Sequence, residues 1–482
     1  VSATDWGLLA QAAVGATFLA LLLADAFVPE DRKTLLGLVA AAGLLVAMAA
    51  DLAAAGAGLS TPGANHLLFH DTIAIDGFAV FFQVLFIALA LMVLALSPSY
   101  LRRRGIVRGE FYILLVAALA GMMLMVAATN LVTIFLGIEL LSISLYVLSA
   151  FLRQAEPSQE AGLKYLLIGG FASGFLLYGM AMLYGGTGTT SLPQIAAVLP
   201  RLSGDSQLFS VVGIALLLVG VAFKSSAAPF HTWTPDVYQG APTVVVAFMS
   251  VGTKVAAIAI FLRIFVVDLA AAYPRWVLLL GAVAGLSMLV GAVGALRQDD
   301  LKRMLAYSSV AQAGYLLLAA VAGVPGITAG LFYLAAYGVM TFGAFGVISL
   351  VAGRDSDNAG MATFRGLGWR RPLVGGLLAL FVLSLAGIPP TVGFMGKLFV
   401  FEAAIRAGYA PLTVVAIVSS AISLYYYLRV VIVLYTPPEG DETAPASDPW
   451  ATGAVILAGF LTLALGIFPG ILYGLAQRSS LL

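Results

Sequence analysis

Fourteen stretches of mostly apolar residues, each close to bilayer-crossing length, leave this chain little freedom in what it folds into. About 20 residues at 1.5 Å rise span the roughly 30 Å hydrocarbon core of a membrane. The stretches run at about 8–28, 34–54, 75–96, 111–128, 130–152, 162–184, 208–235, 242–267, 276–295, 304–322, 327–351, 373–405, 410–435 and 451–472. Backbone in lipid must satisfy its own hydrogen bonds, so each reads as a helix. The first is too long for a cleaved signal and no basic segment precedes it. With 61% hydrophobic and 10% charged residues, the 482-residue chain lies outside the range of soluble domains. The expected fold class is an all-α polytopic membrane protein. Its longest connections, near 51–74, 185–207, 352–372 and 436–450, are each under 25 residues, so 1–482 reads as a single membrane domain.

Basic residues set the expected orientation. Connections after odd-numbered helices hold fifteen: Arg32, Lys33, Arg102, Arg103, Arg104, Arg108, Arg153, Lys164, Arg297, Lys302, Arg303, Arg354, Arg365, Arg370 and Arg371. Connections after even-numbered helices hold Arg201, Arg263, Arg275 and Arg406. By the positive-inside rule the first set is cytoplasmic and both termini are outside. The acidic loop Glu439 to Asp448 leaves that reading unchanged. A net charge of +1 gives no reason to expect nucleic-acid binding. The absence of cysteine excludes disulfides and cysteine-ligated iron-sulfur or zinc sites within the chain. No P-loop or dinucleotide fingerprint occurs, since GGTGTT at Gly185 to Thr190 lacks the required spacing.

Against this background the ionisable residues inside helices stand out. Four are basic: Lys224, Lys254, Lys397 and Arg429. A lysine at the centre of a membrane helix costs roughly 2.5–3.5 kcal/mol on insertion scales, so it points to a cavity, a partner or a function. Arg429 lies late in its helix beside Tyr425, Tyr426 and Tyr427, where a snorkelling side chain reaches an interface. Glu139 is the one carboxylate read as mid-helix, and Ser142 and Tyr146 follow at i+3 and i+7, on the same face. A structural ion pair accounts for one glutamate and one lysine, but not for one glutamate among three lysines.

Two lysine-bearing runs are interrupted. Lys224 is followed by Ser225, Ser226, Pro229 and Pro235, and Gly387, Pro389 and Pro390 precede Lys397 in a run of 33 residues, too long for one straight crossing. A plain proline kink explains either one alone; matched interruptions in two halves mark a transport site near the midplane. Lys224 and Lys397 are 173 positions apart, and that offset maps 111–267 onto 276–435 as two five-helix units. Five is odd, so the second unit is inverted. The N-terminal helices occupy 1–96 and the fourteenth helix 451–472. At this offset Glu139 falls on Gln312 and Lys254 on Tyr427.

Five motifs then carry a resemblance: GIELLSISLYVLSAF around Glu139, EAGLKYLLIGGFASGFLLYGMAMLYGGTG from Glu160, FKSSAAPFHTWTPDVYQGAPT from Phe223, LKRMLAYSSVAQAGYL from Leu301, and GIPPTVGFMGKLFVF from Gly387. Over nearly its whole length the sequence resembles the antiporter-like membrane subunits of respiratory complex I, the proton-pumping NADH:quinone oxidoreductase, and most of all their N type. The resemblance implies about fourteen transmembrane helices, two inverted five-helix repeats and discontinuous helices 7 and 12. It implies no cofactor in this chain, with flavin and iron-sulfur clusters in partner subunits, and M-type and small K-type subunits as membrane-arm neighbours in a bacterial-type inner membrane. Glu139, Lys224, Lys254 and Lys397 match the proton-translocating residues. Lysine at 397 fits the N type, where the M type has glutamate. Many relatives place a histidine where Gln312 stands, and glutamine takes up no proton.

Burial disfavours a charged lysine and a nearby carboxylate favours it, so movement of Glu139 relative to Lys224 would load or unload a proton. The expectation is a relay through Lys224 and Lys254 with Lys397 as the outward gate. His231, in PFHTW, is read either as a proton-uptake group or as a stitch from the loop to Asp236 or backbone. His66 and His70 would share a face if helical, but no third metal ligand is evident. Two other readings stay open: a subunit of a multisubunit sodium/proton antiporter or membrane-bound hydrogenase, and a structural membrane-arm subunit, with or without a wall of a quinone pocket.

Overall fold

The computed structural model describes residues 2–59, 66–351, 359–437 and 448–480. Arg354 and most of the acidic loop from Glu439 lie outside them.

Three helices open the chain: α1 (Ala3–Phe27), α2 (Leu35–Ala54) and α3 (Gly77–Arg103), with a small hairpin of β1 (His66–Leu68) and β2 (Ile73–Ile75) before α3. His66 therefore lies on a strand and His70 in the turn at φ 57°, so the two share no helix face. No cluster of three or more metal-ligating side chains occurs among the described residues. The first five-crossing unit holds α4 (Gly109–Ala127), α5 (Leu131–Ser149), α6 (Glu156–Thr187), a short α7 (Leu192–Val198), α8 (Gly204–Lys224), α9 (Trp233–Gly240) and α10 (Thr243–Phe261), which continues in wider turns to Asp268. The second holds α11 (Tyr273–Ala295), α12 (Leu301–Val321), α13 (Gly326–Val351), a single turn α14 (Leu367–Arg370), α15 (Pro372–Ala386), α16 (Val392–Arg406) and α17 (Ala410–Tyr435). α18 (Pro449–Ile467) makes the last crossing and α19 (Pro469–Arg478) follows it. Among the described residues thirteen helices are long and apolar enough to cross a membrane unaided, and the broken pair α15–α16 supplies a fourteenth crossing.

Both lysine-bearing runs are broken as read. α8 stops at Lys224 and α9 begins at Trp233, so the run 208–235 is two helices. α15 stops at Ala386, Gly387 turns the chain at φ 89°, and α16 restarts at Val392.

The two units repeat the same local devices at a register different from the one read in sequence. Asn130 caps α5 by accepting from the Val132 amide at 2.9 Å, and Asp300 caps α12 by accepting from the Arg303 amide at 2.8 Å. The Leu131 amide donates to the Thr190 carbonyl and that of Leu192 to the Thr129 carbonyl. In the second unit the Leu301 amide donates to Ala359 and that of Met361 to Asp299. Gly121 packs on the backbone of Gly137 and Leu141 as Gly291 packs on Tyr307 and Ala311. From 121 to 291 and from 130 to 300 the shift is 170 positions. At the breaks it is 162, from Lys224 to Ala386, because the connecting loops differ in length. The offset of 173 is thus corrected: Glu139 corresponds to Ser309, Ser142 to Gln312, and Lys224 to Ala386, not to Lys397.

The centre of the molecule is α10, every residue of which is buried; in α12 all but Arg303 and Tyr307 are. Several charges read as loop residues are buried too. Arg263 lies in the extension of α10 and pairs with Asp76 at 2.9 Å, with both side chains almost wholly enclosed. Lys302 is fully buried and donates to the Ala241 carbonyl at 2.9 Å. Lys33 pairs with Asp25 at 2.6 Å. Asp51 is enclosed within α2, and neither carboxylate oxygen has a hydrogen-bond partner, so Glu139 is not the only carboxylate inside a helix.

Candidate functional site

The lysines occupy three separate stations. At the first, the Lys224 ammonium leaves the C-terminal end of α8, where helix carbonyls favour a cation. It donates to Ser142 Oγ at 2.5 Å and to the Tyr146 hydroxyl at 3.4 Å. It also lies 5.5 and 5.9 Å from the ring centres of Tyr146 and Tyr165, within cation–π reach. Ser142 and Tyr146, predicted to share a face with Glu139, do so and both meet Lys224. Glu139 itself forms no ion pair with Lys224 among the described residues; its Oε1 accepts from Ser173 Oγ at 2.5 Å. It is only partly buried, at the rim of an outer apolar face where Leu136 and Ile143 are more than half exposed. A groove of about 550 Å³ between α5 and α6, lined by Arg153, Gln159 and Tyr146 among others, leads from that face to the Tyr146 side chain.

At the second station Lys254, wholly buried in α10, donates to both the carbonyl and the hydroxyl of Ser309. Ser309 Oγ shares a 2.9 Å hydrogen bond with the Tyr337 hydroxyl, which donates to the Ser250 carbonyl at 3.0 Å. Lys254 thus contacts the residue of the second unit that corresponds to Glu139 of the first.

At the third station Lys397, from α16, donates to the Ala386 carbonyl and to Ser420 Oγ, each at 2.9 Å, and lies 5.0 Å from the Tyr315 ring centre. The Ala386 carbonyl is free because α15 ends there. Gly387 makes the approach fit: a Cβ on it would stand 3.0 Å from Lys397 Cδ.

One helix joins the second station to the third. Ser309, Gln312 and Tyr315 succeed one another on one side of α12, each about one turn apart. Gln312 donates to the Leu385 carbonyl at 3.1 Å and accepts from Tyr333. Tyr427 shares a hydrogen bond with Ser308, beside this ladder. Between the first and second stations no such ladder exists among the described side chains. Tyr165 stacks on Trp233 at 4.5 Å and Trp233 meets Tyr238 edge-on, while the buried hydroxyls of Ser226, Tyr238 and Ser250 have no protein partner.

The remaining candidates fall outside these contacts. Pro229, Pro389 and Pro390 lie exposed at the breaks, while the lysines beside them are buried. His231 is half-buried, its ring 6.4 Å from that of Tyr307, and its Nδ1 has no hydrogen-bond partner. It does not stitch the loop to Asp236. That carboxylate instead pairs with Lys164 at 2.8 Å and Arg303 at 2.7 Å, tying α9 to α6 and α12. Arg429 reaches the Gln298 carbonyl and the Asp299 carboxylate rather than lipid.

Comparison with known proteins places this geometry. The family model for the transmembrane region of NADH:quinone oxidoreductase and Mrp antiporter subunits matches residues 128–423, which contain all three stations. The chain belongs to this family. Within it, the sequence is 43% identical to NADH-quinone oxidoreductase subunit N of Trichlorobacter lovleyi over 96% of the chain and 94% of that protein. It is 40% identical to subunit N 1 of Solibacter usitatus over 95% and 94%. A chain of respiratory complex I from Thermus thermophilus, solved with bound aureothin, superposes with a TM-score of 0.82 at 36% identity, covering 96% of this chain and 98% of that one. A chain of the Mrp complex from a Dietzia species superposes with a TM-score of 0.87 at 23% identity, covering 99% and 96%, and shows that the fold is shared. Both helix breaks, between α8 and α9 and between α15 and α16, lie within the matched residues.

Proposed function

We propose that the chain is the proton-translocating, antiporter-like subunit of an NADH:quinone oxidoreductase, and that protons move along Glu139, Lys224, Lys254 and Lys397. The ladder on α12 carries this reading: Ser309 holds Lys254, Tyr315 lies under Lys397, and Gln312 stands between them. Gln312 has no titratable proton, so its role is to hold Tyr333 and the Leu385 carbonyl in line. Lys224 and Lys254 exchange a proton through water lodged among the unpartnered hydroxyls of Tyr238 and Ser250. Protons arrive from the cytoplasm through the α5–α6 groove or past His231 and leave at Lys397. Redox energy comes from flavin and iron-sulfur chemistry in partner subunits, with an M-type and a small K-type subunit against this chain in a bacterial-type membrane and both termini on the outer side.

The test is proton pumping by the intact complex in sealed vesicles during NADH oxidation. Lys254→Ala and Lys397→Ala are expected to assemble and to lose most pumping. Wild-type pumping in both would sink the relay.

A further inference from the structure

Away from the lysine stations, α3, α13, α18 and α19 enclose a cavity of about 440 Å³, within the range of small-molecule sites. Its wall on α3 is a stripe at three- and four-residue steps from Gly77 to Met92, about 22 Å long at 1.5 Å per residue. The lining is apolar except at one end, where Arg478 and Ser479 close α19. Arg478 is exposed and has no acidic partner among the described residues.

The topology says where that end lies. α2 finishes, α3 begins and α19 follows the fourteenth crossing on the same side of the membrane, by parity of crossings. Leu52, Gly77 and Arg478 therefore stand together near one interface, and Leu52 and Leu475 at the mouth are more than half exposed. From there the stripe runs inward past the roughly 15 Å of one leaflet. Its floor is made by Val251 and Gly338, where a Cβ on Gly338 would stand 3.2 Å from Val251 Cγ1. Val251 is one turn from Lys254, and Gly338 follows Tyr337, which binds Ser309.

We propose that this cavity is a binding site for one bilayer phospholipid, with its phosphate on Arg478 and one acyl chain lying along α3 to the Val251–Gly338 floor. Three observations fit that occupant together: an apolar slot longer than any side chain, a single cation at the interfacial end, and a mouth open where lipid headgroups lie. The slot has no polar group at its deep end to fix a quinone ring. The bound chain completes the apolar wall behind Lys254, so that water reaches that lysine only along the ladder side.

The intact complex, reconstituted in vesicles of phosphatidylglycerol and phosphatidylethanolamine, tests this with a phosphatidylglycerol probe carrying a photoreactive group midway along one acyl chain. Adducts are expected on peptides of α3 between 77 and 92 and of α13 between 335 and 342. Ala88→Phe, which fills the slot, is expected to cut them at least fivefold. Leu475→Trp fills it from α19 and serves if the first variant does not assemble. Arg478→Gln, which removes the cation proposed to hold the phosphate, is expected to reduce labelling by the phosphatidylglycerol probe and by the matching phosphatidylethanolamine probe. Undiminished labelling in the filled variants, undiminished labelling by both phospholipids in Arg478→Gln, or labelling by a photoreactive quinone but by neither phospholipid would each overturn the proposal.

Discussion

Lys397 and Ala386 are joined across a broken helix: the ammonium on α16 donates at 2.9 Å to the carbonyl that ends α15. Ala386 is the counterpart of Lys224, the last residue of α8. The two units therefore bring an ammonium to the same place by different routes, one from the helix end itself and one from beyond the break. This contact depends on Gly387, which has φ 89° and lies against the Lys397 side chain.

Gly387→Ala is accordingly expected to impair Lys397 twice over. The left-handed backbone costs a residue with a Cβ roughly 1–2 kcal/mol, and the new methyl displaces the lysine stem. Proton pumping in vesicles should fall severalfold while NADH oxidation by the uncoupled complex changes less. Unchanged coupling would show that Lys397 does not need the Ala386 carbonyl.

At the first station the two hydroxyls that meet Lys224 are unequal, at 2.5 Å from Ser142 and 3.4 Å from Tyr146. A hydrogen bond to a charged group contributes about 1.5–3 kcal/mol, so Ser142→Ala should slow proton transfer by on the order of tenfold. Tyr146→Phe keeps the ring beside the ammonium and should cost less. Ser142→Thr should retain most of the rate. Initial pumping rates of the three variants check the order, and a larger loss in Tyr146→Phe would reverse the assignment.

Much of this was legible in the sequence, because lysines, a glutamate and prolines in apolar runs violate the solvent they sit in. Position along a helix placed Ser142 and Tyr146 beside Glu139 without any knowledge of packing. What could not be read is where elements meet. Ser309 and Tyr337 are unremarkable on their own helices and matter because Lys254 points at them from a third. The polar spacing of Ser309, Gln312 and Tyr315 was there to be seen, but without a charge it drew no notice. Asp236, Arg263 and Lys302 read as loop charges because hydropathy marks the end of an apolar run, not the end of a buried helix. The register of the repeat failed for a related reason: two lysines are easier to match than two helix ends, and loop lengths between the units differ.

Gln312 offers a test of the ladder that does not rely on proton chemistry. Gln312→Leu would leave the Tyr333 hydroxyl and the Leu385 carbonyl buried without partners, at about 1–3 kcal/mol each. The complex should lose thermal stability, and Tyr333→Phe added to Gln312→Leu should recover part of it, since one orphaned group is then gone. Additive losses in the double variant would mean that the two side chains do not share the hydrogen bond that links them here.

The ion pair of Asp76 with Arg263 predicts an asymmetry between single and double substitutions. Both side chains are nearly enclosed, at 2.9 Å, and Asp76 Oδ1 also accepts the Ala79 amide at 2.8 Å as the N-cap of α3. Asp76→Ala leaves the Arg263 guanidinium buried without its carboxylate, a loss of about 3–5 kcal/mol for pairs of this kind. Adding Arg263→Leu removes the stranded charge, so stability should return except for the lost cap, which contributes about 1 kcal/mol. Subunit abundance in membranes and the unfolding temperature of the purified complex should both rank wild type above the double variant and the double variant above Asp76→Ala. A double variant no more stable than Asp76→Ala would show that the stranded guanidinium is not what makes the single change costly.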